Sequence, residues 1–413
     1  MRNRSQALTA SAILSWPPEH WTSIPRTYRW HNPINQVIII GGGLGGLALA
    51  QGLKRARIPF AVFERDSSES FRPQGYRLRI SAEGTNALEE LLEPNLWDTF
   101  RLTCSTTKLG LTRINAIEGT IPEKNHTSDP SRDAFIFRRN QNQDVRMPYT
   151  ADRTIQITEN GITACFADGS CANANLLVGA DGVGSRVRKQ YLPDQVLVDT
   201  DGRCIYGKTP LTHELIENFP KEAIQSMTLL SDDSPLSLVL EPVRFAEDPA
   251  HYFNGRLDSV SDYVYWVLLA RKAIFGLDDK EFLQFSGESL RELSLKLTSH
   301  WKPVFKPLLE LQDTDQTSAL RISSALPAMK AWTPLPCVTI LGDAIHAMSP
   351  TAGAGANTAY LCRAIIKGVS IETIGQYGAD MREFAQTAIQ GSYMGGKRIY
   401  NQPPFAACKI IED

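Results

Sequence analysis

The sequence predicts an α/β protein in which a discontinuous domain with a parallel sheet is interrupted by an inserted α+β domain built on a mostly antiparallel sheet. Three observations predict this architecture. Residues 36–64 read as a strand, a helix and a second strand. Two further apolar strands, Leu176–Val178 and Val338–Leu341, each end in a glycine that an aspartate closely follows. Between them, from Arg203 to Leu320, the chain is rich in β-type segments, so the parallel strands flank the insert.

Each element of the opening unit has its own signal. Val37–Ile40 consists of β-branched apolar residues, a pattern typical of a strand buried on both faces of a parallel sheet. The apolar positions of Leu44–Ile58 recur with a helical period, and basic residues gather at its end, where the helix dipole favours cations. Phe60–Phe63 provides the second strand. The insert shows two strands and one helical stretch, at Ser237–Leu240, Tyr263–Leu269 and 279–301.

Composition and charge exclude several classes of protein. With 413 residues, 42% of them hydrophobic and 21% charged, the chain has the profile of a globular protein of about two domains. The net charge of −2 offers no basic surface to a phosphate backbone, so nucleic acid is not an expected partner. No apolar run reaches the roughly eighteen residues of a membrane span. No histidine or cysteine cluster has metal-ligand spacing, so no metal is expected.

The cysteines and the N-terminal segment bear on location. The seven cysteines are scattered and include no CxxC pair, which favours reduced thiols and a cytoplasmic protein. Residues 1–35 are expected to form a disordered extension. An alternative interpretation is an organellar import sequence, because this segment carries four arginines against one glutamate and has a short apolar patch.

The first motif is a GxGxxG sequence that directly follows the first strand and opens the first helix. Gly41 permits the tight turn, Gly43 lets the backbone approach a pyrophosphate, and Gly46 allows the helix to pack closely on the strand. Glu64 ends the second strand, where its carboxylate can accept hydrogen bonds from ribose hydroxyls. Such an acid favours an unphosphorylated ribose, as in FAD or NAD. The unit is therefore predicted to be Rossmann-like and to bind a dinucleotide.

The second motif is Gly179–Arg188, with the sequence GADGVGSRVR, again at the end of an apolar strand. It admits a purely structural interpretation, an Asp-Gly turn that caps a helix. The third motif is Gly342–Pro350, which runs into a second glycine-rich segment at Gly353–Asn357. An aspartate there is placed to hold a ribityl or ribose hydroxyl, and the glycines bring backbone amides beside an anion or an electron-rich ring.

These three motifs, in this order, resemble those of the single-component FAD-dependent aromatic hydroxylases. These are the group A flavoprotein monooxygenases with the para-hydroxybenzoate hydroxylase fold, and the fungal secondary-metabolite enzymes are the most similar. The resemblance covers about residues 36–400. It implies a discontinuous FAD-binding domain of the GR2 type and an inserted substrate domain.

The resemblance implies cofactor contacts for residues of all three motifs. The ADP half of FAD would be held by Gly41, Gly43, Gly46 and Glu64. The ribityl and pyrophosphate region would be held by Asp343. The neighbours of the isoalloxazine would be Gly353, Gly355 and Ala356. Both FAD and the transient nicotinamide cofactor, NADPH or NADH, would contact Asp181 and Arg186.

Residues outside the motifs complete the implied site. An arginine that reaches the FAD pyrophosphate is expected at Arg138 or Arg139, and Arg139 is the candidate. The alternative for this pair is a solvated strand end. Gly75 matches a small residue that the family places beside the flavin. Arg203 lies near a position that is often an active-site arginine, and with Tyr206 it is a candidate catalytic residue.

The implied domain organisation follows from these positions. The FAD-binding domain would comprise 36–100, 138–200 and 326–400. The substrate domain would comprise 101–137 and 201–325, and a C-terminal tail would cover 401–413. No repeat or low-complexity tract interrupts this division.

The reaction that the resemblance implies is the insertion of one oxygen atom from O2 into an apolar or phenolic small molecule, with NAD(P)H as reductant, in secondary-metabolite biosynthesis. Two other functions stay open: another FAD oxidoreductase such as a reductase, and a degenerate, non-catalytic paralogue that acts as a pathway partner. The hypothesis of a non-catalytic paralogue rests on residues 140–148. They lack the helically spaced leucines that the family has after the arginine corresponding to Arg139.

Overall fold

The computed structural model describes most of the chain after residue 36. The described residues are 37–65, 77–80, 82–106, 110–121, 124–125, 135–138, 154–158, 161–253, 259–350 and 370–412. The predicted N-terminal extension lies outside them.

A parallel sheet of four strands forms one part of the described fold. Its strands are β1 Val37–Ile40, β2 Phe60–Phe63, β11 Leu176–Gly179 and β17 Val338–Ile340. They stand in the order β17, β11, β1, β2, and all three neighbouring pairs are parallel. Every residue of β1 is buried, as expected for a strand with apolar layers on both faces of the sheet. The four strands predicted from the sequence are confirmed.

Helix α1, Leu44–Arg55, crosses from β1 to β2 as predicted, but it ends before the predicted Ile58. Ile58 precedes Pro59, and a residue before proline is disfavoured in the helical conformation. Arg57 also adopts a left-handed φ of 57°, which ends the helix and turns the chain towards β2.

A second, larger sheet is mostly antiparallel. Its strands are β5 Leu111–Asn115, β6 Lys124–Asn125, β12 Leu197–Pro210, β13 Met227–Ser231, β14 Ser237–Val243, β15 Tyr263–Arg271 and β16 Ser318–Ala325. They follow the order β16, β12, β15, β14, β13, β5, β6, and β18, Lys409–Ile410, pairs with β12. The predicted strands at Ser237–Leu240 and Tyr263–Leu269 are confirmed.

The two faces of this large sheet pack against different parts of the protein. Because side chains alternate along a strand, Ile205 and Trp266 point to one side and Cys204 and Leu269 to the other. Ile205 and Trp266 belong to the core under the helices of the insert; we call this side the core face. Cys204 and Leu269 pack against Tyr400 from the C-terminal helix, so we call the second side the Tyr400 face.

The remaining helices surround the sheets. They are α2 Ala82–Leu91, α3 Pro94–Thr103, α4 Arg186–Tyr191, α5 His213–Asn218, α6 Lys272–Phe275, α7 Asp279–Phe282, α8 Glu288–Leu297, α9 Lys306–Glu310, α10 Asp343–His346 and α11 Ile371–Tyr400. Short 3₁₀ turns cover Lys221–Ile224, Pro249–Phe253, Pro303–Phe305, Thr314–Gln316 and Phe405–Ala407. The single helical stretch predicted over 279–301 is wrong in one respect: it is divided into α7 and α8 at Gly287, whose φ of 52° is left-handed.

Two three-stranded sheets complete the fold, and one contains a disulfide. They are β3 Arg77–Ile80, β7 Phe135–Arg138 and β4 Ser105–Thr106, and β8 Thr154–Thr158, β9 Gly161–Cys165 and β10 Cys171–Ala174. Cys165 and Cys171 lie directly opposite each other in the β9–β10 pair and are joined by a disulfide. The expectation of reduced thiols is therefore wrong for this pair. The other described cysteines, Cys104, Cys204, Cys337 and Cys408, are free thiols.

The sequence predicts neither a membrane span nor a metal site, and the described residues bear on both predictions. Among the helices described, none combines the length and apolar character that a membrane crossing requires. The same residues contain no group of three or more His, Cys, Asp or Glu side chains arranged to hold a metal ion.

Candidate functional site

The carboxyl ends of the parallel strands bring the predicted motifs together. Gly41 directly follows β1 and Glu64 directly follows β2, while Asp181 comes two residues after β11 and Asp343 three residues after β17. Since the strands are parallel and adjacent, these residues meet at one edge of the sheet. In open α/β sheets, this is the edge at which ligands bind.

Gly41 fixes the contact between the first two motifs. Its φ is 113°, and a Cβ placed on it would lie 2.2 Å from the carbonyl oxygen of Ala180. Backbone hydrogen bonds hold this contact: Gly41 N–H donates to Phe63 O at 2.7 Å, and Ala180 N–H donates to Ile40 O at 2.7 Å. Only glycine fits here without moving the second motif.

Gly43 is the glycine of the GxGxxG motif that has open space around its Cβ position. Its φ of −71° suits any residue, and no heavy atom lies within 4 Å of a Cβ placed on it. It precedes α1, whose first amide groups and dipole favour an anion. A Cβ on Gly46, by contrast, would lie 2.1 Å from Gly41 O. Gly46 therefore allows the close packing of helix and strand, and Gly43 leaves the space that a pyrophosphate needs.

Glu64 holds its carboxylate against the glycine loop. Gly42 N–H donates to Glu64 Oε2 at 2.6 Å, and Arg65 N–H donates to Glu64 Oε1 at 2.6 Å. These two bonds orient the carboxylate, the kind of group that accepts hydrogen bonds from ribose hydroxyls.

Asp181 caps helix α4. Its carboxylate accepts from Ser185 Oγ at 2.5 Å and from Arg186 N–H at 2.9 Å. Ser185 in turn accepts from Arg188 N–H at 2.9 Å. The helix-capping interpretation of the second motif is thus confirmed, and a contact of Asp181 with FAD or a nicotinamide stays a prediction.

Arg188 is the buried arginine of the second motif, and a contact of the exposed Arg186 with FAD or a nicotinamide stays a prediction. Arg186 is exposed, whereas Arg188 is 4% exposed and donates through Nη1 to Val183 O at 3.0 Å and Ala344 O at 2.8 Å. Burial lowers the pKa of Arg188, and the nearby charge of Asp181 opposes that change. Arg188 ties the second motif to the third. The signal for it was its position one turn after Ser185, on the same side of α4.

Replacing Arg188 with methionine is expected to lower the free energy of unfolding by about 2–4 kcal/mol, because two buried carbonyl groups lose their donor. Arg186→Met is the matched control on the same helix, and it is expected to change stability by less than about 0.5 kcal/mol. Urea unfolding of both variants measures the difference. Equal stabilities would show that Arg188 does not tie the two motifs together.

Asp343 presents a carboxylate at the same edge of the sheet. The side chain is accessible to solvent, yet the surrounding protein desolvates it and raises its pKa. Within the described residues, no hydrogen bond reaches this carboxylate. The Asp343 carboxylate is accessible to a ligand, and its charge is poorly solvated. Hydroxyls of a ribityl chain would donate hydrogen bonds to this carboxylate and stabilise its charge.

His346, on the same short helix, is fully buried, and burial lowers its pKa to about 4. The imidazole is therefore neutral at physiological pH. The end of this helix also contacts the large sheet, because Ala325 N–H of β16 donates to Ala347 O at 2.7 Å.

Arg203 and Tyr206 point to opposite faces of the large sheet. They are three residues apart on β12, so alternation separates them. All five N–H groups of Arg203 are used, by Asp199, Asp279 and the carbonyl of Gly202.

The two candidate catalytic residues therefore have different surroundings. Burial acts to lower the pKa of Arg203, but its bonds to Asp199 and Asp279 outweigh that effect and raise the pKa. Arg203 belongs to an ion-pair network at the core face, whereas Tyr206, 6% exposed, lies on the Tyr400 face. The geometry does not bring the pair together, and a catalytic role for either stays a prediction.

The other predicted cofactor contacts lie outside the described residues. They are Gly75, Arg139, Gly353, Gly355 and Ala356. Each stays a prediction.

The arrangement at the sheet edge fits a dinucleotide. The donor set comprises the amides at the start of α1, and the acceptor set comprises the carboxylates of Glu64 and Asp343. Gly43 leaves open space at the start of α1. Phosphates suit the amides, and hydroxyls suit the two carboxylates.

Comparison with known proteins finds relatives that are named as FAD-dependent monooxygenases. No family model matches the chain. A dual O-methyltransferase/FAD-dependent monooxygenase of Cercospora beticola is 35% identical over 412 residues, which cover 90% of this chain and 47% of that protein. The chain thus spans about half the length of the first curated relatives it matches. An FAD-dependent monooxygenase of Trichoderma harzianum is 26% identical, over 91% of this chain and 97% of that protein.

A solved structure extends the similarity to the fold. A protein from Photorhabdus luminescens, described as an FAD-containing monooxygenase, has a TM-score of 0.73 and 27% identity, and the match covers 88% of this chain and 98% of that one. The predicted fold class is confirmed. The chain is therefore similar to FAD-dependent monooxygenases in sequence and, over 88% of its length, in fold.

Proposed function

We propose that this chain inserts one oxygen atom from O2 into an apolar or phenolic small molecule, in secondary-metabolite biosynthesis. NAD(P)H supplies two electrons, one oxygen atom enters the substrate, and the other leaves as water. The observation that carries the proposal is the meeting of three motifs and Glu64 at one sheet edge, with open space at Gly43.

The chain's own residues bind and orient the cofactor in this proposal. The amides at the start of α1 bind the pyrophosphate, Glu64 binds the ribose of the ADP half, and Asp343 binds the ribityl chain. FAD, when bound, supplies the reaction with O2. The protein must also exclude water from the reacting centre. The cytoplasm is the proposed location: four of the six described cysteines are free thiols, although Cys165 and Cys171 form a disulfide.

The substrate is proposed to lie against the Tyr400 face of the large sheet. Tyr206 lies there beside Val267, and the next row across the strands is Lys208, Tyr265 and Glu241. Tyr206, Lys208 and Glu241 are buried, and Tyr265 is half-buried. Apolar side chains with a few polar groups are typical of small-molecule sites. Some relatives combine an O-methyltransferase with the monooxygenase, which suits a substrate with hydroxyl groups.

Tyr206→Ala is expected to reduce the stimulation of NADPH consumption by an aromatic probe such as 2-naphthol about tenfold, equivalent to roughly 1.4 kcal/mol. FAD affinity is expected to stay unchanged. Arg203→Met is the comparison on the same strand, and it is expected to lower the melting temperature because Asp199 and Asp279 lose the buried guanidinium between them. If Tyr206→Ala leaves the stimulation intact, the substrate does not contact this part of the face.

The test of the proposed function is the absorption spectrum of the purified protein with FAD, followed by NADPH or NADH oxidation in air. A bound-flavin spectrum and slow, peroxide-releasing consumption of the reductant support a monooxygenase. Retention of flavin without reaction with O2 would indicate a different FAD oxidoreductase. If no flavin is retained at micromolar protein, the degenerate paralogue replaces the enzyme as the better account.

A further inference from the structure

We propose that Tyr400 is a positioning residue that holds the end of the third motif against the Tyr400 face and so aligns the flavin with the substrate. Tyr400 ends helix α11 and is fully buried. The part of this proposal that concerns flavin and substrate rests on the proposed function above. The part that concerns the third motif rests on the contacts of the Tyr400 hydroxyl and ring.

The hydroxyl of Tyr400 lies between the two halves of the fold. It is 2.7 Å from Gln402 Oε1 and 3.2 Å from Thr200 Oγ1 on β12, and both of these atoms act as acceptors. Thr200 uses its own hydrogen to donate to Ile322 O at 2.8 Å. The single hydrogen of Tyr400 is therefore shared between those acceptors. The Ser349 and Tyr400 hydroxyls lie 3.4 Å apart, and either one can act as the donor.

The ring of Tyr400 is seated by a glycine. A Cβ placed on Gly202 of β12 would lie 2.7 Å from the ring, so the strand accepts the ring only because Gly202 has no side chain. Cys204, Leu269 and Ile322 form the rest of the contact. Tyr400 is thus fixed to the large sheet by packing as well as by its hydroxyl.

Side-chain-to-backbone hydrogen bonds join helix α11 to the third motif and to the large sheet. Ser392 Oγ of α11 donates to the carbonyl of Ser349. Ser237 Oγ of β14 donates to Ile399 O at 2.6 Å, next to Tyr400. The end of α11 therefore touches both the third motif and the large sheet, and Tyr400 is where the two sets of contacts meet.

The position of Asp343 depends on this junction. Asp343 begins α10, and Ser349 follows that helix by three residues. We expect loss of the hydroxyl to let the third motif move relative to β12, with little effect on the ADP half of the cofactor site. Burial raises the pKa of Tyr400 to about 12, so its hydrogen is present throughout the physiological range.

The experiment compares Tyr400→Phe with Tyr377→Phe. Tyr377 is a buried tyrosine of the same helix, and its hydroxyl donates to Ile340 O at 3.2 Å, within the parallel-sheet half. In the apoprotein, Tyr400→Phe is expected to speed amide hydrogen exchange over 342–350 about fivefold, the effect of one hydrogen bond. Tyr377→Phe is expected to cause no such increase over 342–350, because it leaves the contact of that segment with β12 unchanged. If the two variants give the same exchange over 342–350, Tyr400 does not position the third motif.

The holoenzyme tests the consequence for the flavin. Tyr400→Phe is expected to keep FAD affinity within about twofold of wild type but to lower the rate of flavin reduction at saturating NADPH about fivefold and to change the visible circular dichroism of the flavin. An unchanged rate and spectrum would overturn the alignment role. If wild-type protein binds no FAD, the proposed function fails, whereas the exchange result still decides whether Tyr400 holds the third motif.

Discussion

Replacing Gly43 with valine is expected to abolish FAD binding while leaving the apoprotein within about 0.5 kcal/mol of wild-type stability. The position has an ordinary φ, and a Cβ placed there has no heavy atom within 4 Å beyond the adjacent chain, so the new side chain is expected to point into open space. It would fill the space that the pyrophosphate needs. The expected rise in the FAD dissociation constant is at least about 100-fold, equivalent to roughly 2.7 kcal/mol.

Gly41→Ala is the matched change two residues earlier, and the opposite result is expected. A Cβ at Gly41 would lie 2.2 Å from Ala180 O, and the φ of 113° is strained for any L side chain. The loss of unfolding free energy is expected to be about 2–4 kcal/mol. Urea unfolding and FAD titration of both variants give the comparison. If Gly43→Val binds FAD with wild-type affinity, the pyrophosphate does not bind at this loop, and the proposed cofactor site is wrong.

Asp343→Asn is expected to weaken FAD binding about 10- to 100-fold, because hydrogen bonds to a charged acceptor contribute roughly 1.5–3 kcal/mol. The same change is expected to raise the melting temperature of the apoprotein. Desolvation raises the pKa of Asp343 in the folded state, so its charge at neutral pH destabilises the fold. Calorimetry without FAD and titration with FAD measure the two effects.

The pH dependence of the apoprotein gives an independent check on Asp343. The folded protein holds the proton of this carboxyl more tightly than the unfolded chain does, because the folded pKa is the higher one. As pH rises from the ordinary aspartate range through the raised pKa, the unfolded chain loses the proton first, and stability falls. The Asn variant is expected to lack this fall. A variant that is both less stable and unchanged in FAD affinity would exclude Asp343 from the cofactor site.

Local patterns predicted the parallel half of the fold well. The β-branched run at Val37–Ile40 and the glycine spacing at Gly41, Gly43 and Gly46 reflect backbone requirements that are visible in consecutive residues. The adjacency of the three motifs follows from strand ends that must share one edge. These features depend on short-range chemistry, which a single sequence displays.

Features that depend on pairing between distant strands were missed. Alternation along β12 already separates Arg203 from Tyr206, but the partners of Arg203 were not evident because Asp279 lies 76 residues away. The disulfide between Cys165 and Cys171 depends on the register of β9 and β10, which spacing alone does not specify. Tyr400 was not singled out, since its contacts at Thr200 and Ser349 come from remote parts of the chain.

The order of the parallel strands has a consequence for synthesis of the protein. β1 stands next to β11, and β11 next to β17, although about 300 residues separate the first strand from the last. Chains grow at about 5–20 residues per second, so about 8–30 seconds of synthesis separate β11 from β17. A nascent chain therefore exposes the apolar flank of β11 during that interval. Chaperones that shield apolar surface are most needed between the emergence of β11 and that of β17.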